Sequence, residues 1–198
     1  MKIEIVNGNL YFFSSGFPSF GFNLEILKQM KRIGLLSDTH GFMDDRILSY
    51  LGQCDEIWHA GDIGNLDTAQ KLSTLKPLRA VSGNIDGTDL RSQYPLKLRF
   101  TCEEVDVLII HIGGYPAHYS REAATAINSA APKLFISGHS HILKVIYDQK
   151  YQLLHINPGA AGIQGFHQIR TLIRFTIDKA IIKDLEVIEL GQKGIISM

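Results

Sequence analysis

The sequence predicts an α/β domain in which two mixed β-sheets pack face to face, with the helices outside them. Between residues 32 and 84, short apolar runs alternate with amphipathic helical patterns, which is typical of β-α-β units and a parallel sheet. Later in the chain the pattern changes to pairs of strands joined by short turns, which indicates antiparallel hairpins. A chain with both patterns is expected to form two packed layers of sheet.

Three strands and two helices are predicted in the first half of the chain. Continuous apolar runs predict buried strands at 32–37, 56–61 and 78–84. Two helices are predicted between them because apolar residues recur there at helical spacing. These residues are Ile47, Leu48 and Leu51 in the first helix, and Leu66, Ala69, Leu72 and Leu75 in the second.

The second half is richer in strands. An acidic turn at 103–106 separates two predicted strands, and the apolar run 133–138 predicts another. The segment 120–132 predicts a helix with Ser120 as its N-cap and Pro132 just past its end. The last third is mostly predicted strand, and the sequence shows no internal repeat or inter-domain linker.

The composition is that of an ordinary globular domain without a global charge. Of the 198 residues, 45% are hydrophobic, and 20 basic side chains balance 20 acidic ones. No positive field is therefore expected to attract nucleic acid or an anionic membrane. The two cysteines, Cys54 and Cys102, form no CxxC pair, and no apolar run approaches the roughly 20 residues of a membrane span. We expect a cytoplasmic protein.

Residues 1–29 do not fit the α/β pattern. They contain no clean apolar core and no small-residue cleavage site, which disfavours a signal peptide. The stretch MKRIGLLSDTHG, from Met30 onward, resembles the start of a protein, with a methionine, two basic residues and then a buried-type strand. We expect residues 1–29 to be an extension of uncertain status, either a small β-rich segment or a region upstream of the true start. Residues 30–198 are expected to form a single domain.

Polar residues follow five of the predicted strands at the point where each strand ends. The segments are LLSDTHG, HAGDIG, VSGNID, IIHIGG and FISGHSH. The carboxyl ends of strands in an α/β sheet open onto a common crevice where ligands bind. If the strands are neighbours, seven side chains converge on one edge: Asp38, His40, Asp62, Asn84, His111, His139 and His141.

The chemistry of these seven side chains favours a metal centre. Carboxylates, imidazoles and an amide suit Mn²⁺, Fe²⁺, Zn²⁺ or Co²⁺ better than Ca²⁺, and the lack of thiolates argues against a structural zinc site. Seven ligands are too many for one tetrahedral ion and fit two ions that share a carboxylate. Two ions about 3.5–4 Å apart are the usual device for in-line displacement at phosphorus, with a bridging hydroxide as nucleophile.

Each motif by itself is more typical of a turn or a capped strand end. The five motifs together, in one order and all after strands, are what indicates a metal site. The D-x-H and H-x-H spacings are expected to place both side chains of each pair on the same side of an extended segment.

This order of motifs resembles the calcineurin-like metallophosphoesterase superfamily and is most similar to its small bacterial and archaeal phosphodiesterase branch. The later segment INPGAAG, at 156–162, is similar to an N-P-G-S segment of that branch near the metals. The resemblance covers roughly residues 30 to 190. It implies an αββα sandwich with a dinuclear metal site at one edge.

The resemblance also implies a role for each residue of the site. One ion would be held by Asp38, His40 and His141, and the second by Asn84, His111 and His139, with Asp62 bridging both. It implies hydrolysis of a small phosphodiester by a hydroxide that bridges the metals, with Asp62, Asn84 and His111 as the catalytic residues. We expect two divalent ions, Mn²⁺ in the first place, with Fe, Zn, Ni or Co as alternatives.

Three positions depart from the family pattern. Ile85 stands where many members have a histidine that protonates the leaving group, so the general acid is unassigned, with Tyr115 and His118 as candidates. Two glycines and an isoleucine follow His111 where the branch more often has H-G, which affects the shape of that loop. Ala160 replaces the usual serine and removes a hydroxyl contact.

Other polar residues have more than one interpretation. We interpret His59 and His155 as structural or as supports for the ligands, and His167 as a loop residue. Asp86 either bonds a ligand or stabilises a turn. Arg91 is an exposed helix-face charge or a phosphate contact.

Three other functions stay open at this point. Small proteins of this fold also serve as non-catalytic scaffolds, but a decayed site should have lost ligands, and none of the seven is replaced here. A nuclease is disfavoured by the neutral charge, and a dinucleoside-polyphosphate hydrolase is not decided. A homo-oligomer is also left open.

Overall fold

The computed structural model describes the backbone of residues 2–6, 9–13 and 21–23, and all of residues 30–193. The chain divides into two compact units, Met1–Met30 and Lys31–Met198. In the first unit, strands β1 (Lys2–Val6), β2 (Asn9–Phe13) and β3 (Gly21–Asn23) pair antiparallel in that order.

The described part of the second unit contains twelve strands and four helices. In chain order they are β4 (Lys31–Leu36), α1 (Asp45–Gly52), β5 (Glu56–His59), α2 (Leu66–Leu75), β6 (Leu78–Ala80), α3 (Thr88–Gln93), β7 (Lys97–Cys102), β8 (Val105–Ile110), β9 (Gly114–Tyr115), β10 (His118–Tyr119), α4 (Arg121–Ser129), β11 (Leu134–Ile136), β12 (Lys144–Asp148), β13 (Leu153–Asn157), β14 (Ile169–Asp178) and β15 (Ile181–Gln192). Among these residues, no helix is long and apolar enough to cross a membrane.

Ten of these strands form two five-stranded sheets of mixed direction. The first sheet has the order β15-β14-β4-β5-β6, in which β4, β5 and β6 are parallel and β14 and β15 are antiparallel additions. The second has the order β12-β13-β11-β8-β7, with β13, β11 and β8 parallel and an antiparallel strand at each edge. The predicted change from parallel units to hairpins is confirmed.

The two sheets pack face to face, and the helices cover their outer faces. The central core combines side chains of both sheets, such as Leu35 and Trp58 from the first with Ile109 and Ile136 from the second. Helices α1 and α2 cover the outer face of the first sheet, and α4 covers that of the second. These layers confirm the αββα sandwich.

Side chains alternate between the two faces of a strand, so neighbouring residues serve different layers. In β8, Ile109 belongs to the core between the sheets, and Leu108 and Ile110 face α4. Because both faces are covered, the central strands are continuously apolar, which is the pattern that predicted them.

Polar caps begin three of the helices. Asp44 accepts a hydrogen bond from the Ile47 amide at 3.0 Å and begins α1. Asn65 begins α2 in the same way, and Ser120 caps α4 as predicted. The sequence prediction missed α3, which has only six residues and a glycine N-cap that offers no side-chain bond.

A glycine in β4 sets the distance between α1 and the first sheet. A Cβ atom on Gly34 would lie 2.5 Å from Leu51 Cδ2 and 3.1 Å from Cys54 Sγ. We expect Gly34→Ala to lower the free energy of unfolding by about 1–3 kcal/mol, because overpacking forces the helix away. Chemical denaturation followed by circular dichroism measures this change.

Gly52 at the end of α1 is a matched control. A Cβ atom there meets only Leu75 Cδ1 at 3.8 Å, an ordinary contact. Gly52→Ala should therefore be neutral or raise stability by up to ~1 kcal/mol through helix propensity. Equal losses in both variants would contradict a steric limit at Gly34.

Candidate metal centre

All seven predicted ligands lie in loops that follow parallel strands. Asp38 and His40 follow β4, Asp62 follows β5 and Asn84 follows β6, so three neighbouring strands of the first sheet supply them. His111 follows β8, and His139 and His141 follow β11 beside it in the second sheet. The packed sheets therefore place all five loops at their carboxyl ends.

Hydrogen bonds hold these loops together. The amides of Asp38 and His40 donate to the carbonyls of Gly61 and Asp62 at 3.0 Å, joining the loops after β4 and β5. Two further bonds join the sheets. The His139 amide donates to Asp38 Oδ2 at 3.1 Å. The Nδ1 atom of His111 lies 2.8 Å from the carbonyl oxygen of Ala60.

The first group of side chains consists of Asp38, His40 and His141. Their candidate ligand atoms all lie within 4.8 Å of one another. His141 Nε2 is 3.2 Å from Asp38 Oδ1 and 3.4 Å from His40 Nε2. Asp38 is fully buried, and its other oxygen accepts a short hydrogen bond from the Ser37 hydroxyl.

The second group consists of Asp62, His111 and His139, with the same limit of 4.8 Å between ligand atoms. His111 Nε2 lies 3.3 Å from Asp62 Oδ1 and 3.1 Å from Asn84 Oδ1, so the amide of Asn84 borders this group. The rings of His111 and His139 are 5.3 Å apart between centroids.

Asp62 faces both groups. Its Oδ1 lies against His111 in the second group, and its Oδ2 lies 3.9 Å from His40 Nε2 in the first. The amide of Ile85 donates to Oδ1 at 3.1 Å and fixes the carboxylate between the two groups. One oxygen is thus directed toward each cluster.

The local backbone differs from the sequence prediction. Both pairs were expected to lie on extended segments, and this is wrong. Asp38, His40, His139 and His141 have positive φ angles of 54°, 49°, 66° and 56°, and Asp62 has one of 56°. Non-glycine residues rarely adopt this left-handed region, which costs on the order of 1 kcal/mol or more each, and such residues cluster at functional sites.

The hydrogen bond of His111 determines where its proton lies. Its Nδ1 is 2.8 Å from the Ala60 carbonyl, which can only accept, so Nδ1 carries the hydrogen and Nε2 is directed at the oxygens of Asp62 and Asn84. Burial lowers the pKa of His111, but the nearby Asp62 and Asp38 carboxylates outweigh it, and the pKa is raised. Burial raises the pKa of Asp62, but His111 and the Ile85 amide outweigh it, and that pKa is lowered.

His141 has a partner that the sequence prediction missed. His167 Nε2 lies 3.0 Å from the Gly162 carbonyl, so that nitrogen donates. The Nδ1 atom of neutral His167 is then an acceptor for the Nδ1–H of His141, 3.3 Å away. His141 Nε2 is left free to face Asp38 and His40. The sequence indicates only a loop residue at position 167. A contact between residues 26 positions apart leaves no local signal that would reveal it.

The donor set fits a cation. Asp38 Oδ1 is buried without a hydrogen-bond partner in the described part of the chain, and it lies 3.2 Å from His141 Nε2. Such convergent lone pairs repel one another unless a proton or a metal lies among them. Carboxylate oxygens and imidazole nitrogens are ligands of first-row divalent metals.

Two further residues support the loops. Asp86 is buried and accepts hydrogen bonds from the amides of Ile63, Gly64 and Gly83, between 2.7 and 3.2 Å. It therefore stabilises the loops after β5 and β6. Arg91 is an exposed residue of α3 that also donates to the carbonyls of Gly83 and Asn84, so it supports the loop after β6.

His59 and His155 lie in the interior as predicted. His59 accepts from the Gly61 amide on Nδ1, and its Nε2 lies 2.9 Å from the Thr39 hydroxyl. His155 Nε2 bonds the hydroxyl of Ser137 at 3.0 Å. Both imidazoles are fully buried, and neither belongs to the two metal-type groups.

The family comparison agrees with this geometry. The model of the calcineurin-like phosphoesterase superfamily domain matches residues 30–180. The chain belongs to the calcineurin-like phosphoesterase superfamily. Over 136 residues it is 27% identical to a probable metallophosphoesterase of Methanothermobacter thermautotrophicus, covering 66% of this chain and 77% of that protein.

Solved structures of other proteins show the same fold. An archaeal phosphodiesterase superposes with a TM-score of 0.57 at 21% identity, covering 80% of this chain and 99% of that one. Zinc-bound Vps29 of Entamoeba histolytica superposes with a TM-score of 0.59 at 16% identity, covering 80% and 98%. At these identities the likeness concerns the fold alone.

The two interior histidines predict a pH effect on stability. Burial is the largest cause that lowers the pKa of His59 and His155 from 6.5 to about 4. Because the unfolded state binds protons more readily, stability is fully present above pH ~6.5 and is lost as the pH falls toward ~4. The expected loss is roughly 3 kcal/mol for each histidine.

Urea unfolding of the protein between pH 7 and pH 4 measures this loss. The His155→Gln variant should lose part of the pH dependence, because glutamine does not titrate. Imidazole NMR shifts that change with midpoints near 6.5 for both residues would contradict the prediction.

Proposed function

We propose that the protein is a phosphodiesterase that uses two divalent ions to hydrolyse a small phosphodiester. The observation that carries the proposal is the position of Asp62, whose two oxygens face two separate groups of metal-type ligands. A single-ion site has no need of two such groups, and two ions sharing a carboxylate are a known device for phosphoryl transfer.

The side chains divide between the ions as follows. One ion would be held by Asp38, His40 and His141, and the other by Asn84, His111 and His139. Asp62 would bind both ions. When bound, the ions would supply a hydroxide nucleophile and neutralise charge on the phosphoryl oxygens. Mn²⁺ is the expected metal, with Fe, Zn, Ni or Co as alternatives with the same ligand preferences.

The protein's own groups would orient the substrate. The exposed amide of Asn84 directs its oxygen toward His111, which leaves its NH₂ to donate to a phosphoryl oxygen. Ile85 anchors Asp62 through its backbone amide, but its side chain has no proton to give. Protonation of the leaving group therefore depends on another residue.

The relatives support this function and also define its main alternative. One structural neighbour is described as an archaeal phosphodiesterase, and one related sequence as a probable metallophosphoesterase. A non-catalytic scaffold on the same fold is the competing hypothesis. The complete set of seven ligands, with a buried carboxylate oxygen free for a cation, favours the enzyme.

Metal binding and activity test the proposal together. After loading with Mn²⁺, elemental analysis should find close to two ions per chain. Hydrolysis of bis(4-nitrophenyl) phosphate should fall roughly 10²-fold or more in Asp62→Asn, because the shared carboxylate is lost. Asp184→Asn is the matched control, since that aspartate lies in the exposed part of β15 and adopts a conformation that asparagine tolerates.

Three results would count against the proposal. A metal content near zero after loading would exclude the dinuclear site, and full metal with no hydrolysis of any phosphodiester would favour the scaffold. Wild-type rates in Asp62→Asn would show that this residue is not the shared ligand.

His167 gives a second test that does not depend on activity. Its bond to His141 holds the imidazole with Nε2 directed into the first group. We expect His167→Ala to weaken the binding of one of the two ions about 10–100-fold and to leave the other unchanged. Titration calorimetry of metal-free protein with Mn²⁺ measures this, and equal weakening of both ions would contradict the assignment.

A further inference from the structure

The proposed reaction lacks a proton donor for the leaving group. Alkoxide and phenoxide groups leave slowly unless they are protonated as the bond to phosphorus breaks. Ile85 follows Asn84 and is 46% exposed, so the position at which many members of the superfamily carry a histidine is apolar here. A donor must therefore come from another element beside the metal-type groups.

A cavity beside the second group contains candidate donors. It has a volume of about 220 Å³, and His139 forms part of its wall. The short hairpin of β9 and β10 and the start of β12 form the rest, which brings Tyr115, His118 and Lys144 into the same space. The sequence patterns predicted neither β9 nor β10 as strands.

Three hydrogen bonds hold this hairpin in place. The Ser137 hydroxyl donates to the Gly114 carbonyl at 3.1 Å, and the Ser120 amide donates to the Gly113 carbonyl at 3.0 Å. The hydroxyl of Tyr119 donates to Asp148 Oδ2 at 2.6 Å. His118 is therefore carried by a fixed element, as a group that reacts at a defined atom must be.

Three other titratable groups of the cavity are already engaged. Tyr119 is bonded to Asp148, and the buried ring of His155 is bonded to Ser137. Lys144 Nζ lies 3.2 Å from the centre of the Tyr115 ring, in a cation–π contact. His118 is exposed and contacts Tyr115 with 4.9 Å between ring centroids. Its side chain has no hydrogen bond to another described residue.

We propose that His118 donates the proton to the leaving-group oxygen, and that this cavity holds the leaving group. The proposal rests on the phosphodiesterase function. Imidazole is the side chain best suited to give and regain a proton near neutral pH. The ammonium group of Lys144 adds a positive charge that stabilises an oxygen gaining electron density.

The proposed step balances as follows. The oxygen of hydroxide forms the new bond to phosphorus, and the bond between phosphorus and the leaving oxygen breaks with its electron pair on that oxygen. A ring N–H of the His118 imidazolium gives its proton to the oxygen, which departs as an alcohol. The neutral imidazole regains a proton from water, so the products are a phosphomonoester and an alcohol.

The dependence on the leaving group tests this role. With His118→Gln we expect kcat/KM for diphenyl phosphate to fall about 10²-fold, the usual contribution of a general acid. For bis(4-nitrophenyl) phosphate we expect less than a threefold change, because nitrophenolate departs without a proton. Mn²⁺ binding, measured by calorimetry, should be unchanged, since His118 belongs to neither metal-type group.

Tyr115→Phe and Glu122→Gln serve as comparison variants. Tyr115 shares this cavity, and Glu122 lies with His111 in a second one of about 270 Å³. A leaving-group-dependent loss in either of them, and not in His118→Gln, would overturn the proposal. An equal loss on both substrates in His118→Gln would also overturn it and would leave the phosphodiesterase function standing. An inactive wild-type protein with two bound metals would overturn both.

Discussion

The site depends on the convergence of buried carboxylate oxygens and imidazole nitrogens. Oxygens of Asp38 and Asp62 face the Nε2 atoms of His141 and His111 at 3.2 and 3.3 Å. Both rings are also held through Nδ1, that of His111 by the Ala60 carbonyl and that of His141 by His167. An unpaired buried carboxylate oxygen costs about 1–3 kcal/mol or more. A cation removes that cost, so this geometry favours the binding of positive charge.

The rest of the fold holds this unfavourable arrangement in place. Five of the seven predicted ligands adopt left-handed backbone conformations, which the chain accepts only if the surroundings determine them. Here the surroundings are the ends of two packed sheets. The loops bond one another through backbone amides, and Asp86 and His59 fill the space beneath them with further bonds. The apolar core between the sheets compensates for the local strain.

The sequence predicted the strands and the convergence of the seven polar side chains because both depend on local rules. Buried parallel strands are continuous apolar runs, and ligands at their carboxyl ends interrupt such runs with Asp, Asn or His. What depends on contacts between distant residues was missed. The contact between His141 and His167 joins loops 26 residues apart. The local sequence around Asp86 does not reveal that its carboxylate accepts hydrogen bonds from three backbone amides. The extended backbone expected for the D-x-H and H-x-H pairs was wrong because spacing does not determine φ.

The buried carboxylates of Asp38 and Asp62 also bear on the choice between enzyme and scaffold. A scaffold needs the surface of the fold, and a buried Asp38 whose Oδ1 has no partner only lowers its stability. Replacement of that aspartate by asparagine would supply a hydrogen-bond donor and remove a buried charge. The same holds for Asp62, which faces imidazoles in both groups. A chain that keeps both carboxylates opposite imidazole nitrogens accepts a folding cost that a bound cation offsets. That cost is expected of the proposed metal-dependent enzyme, and a scaffold that uses only the surface of the fold gains nothing from it.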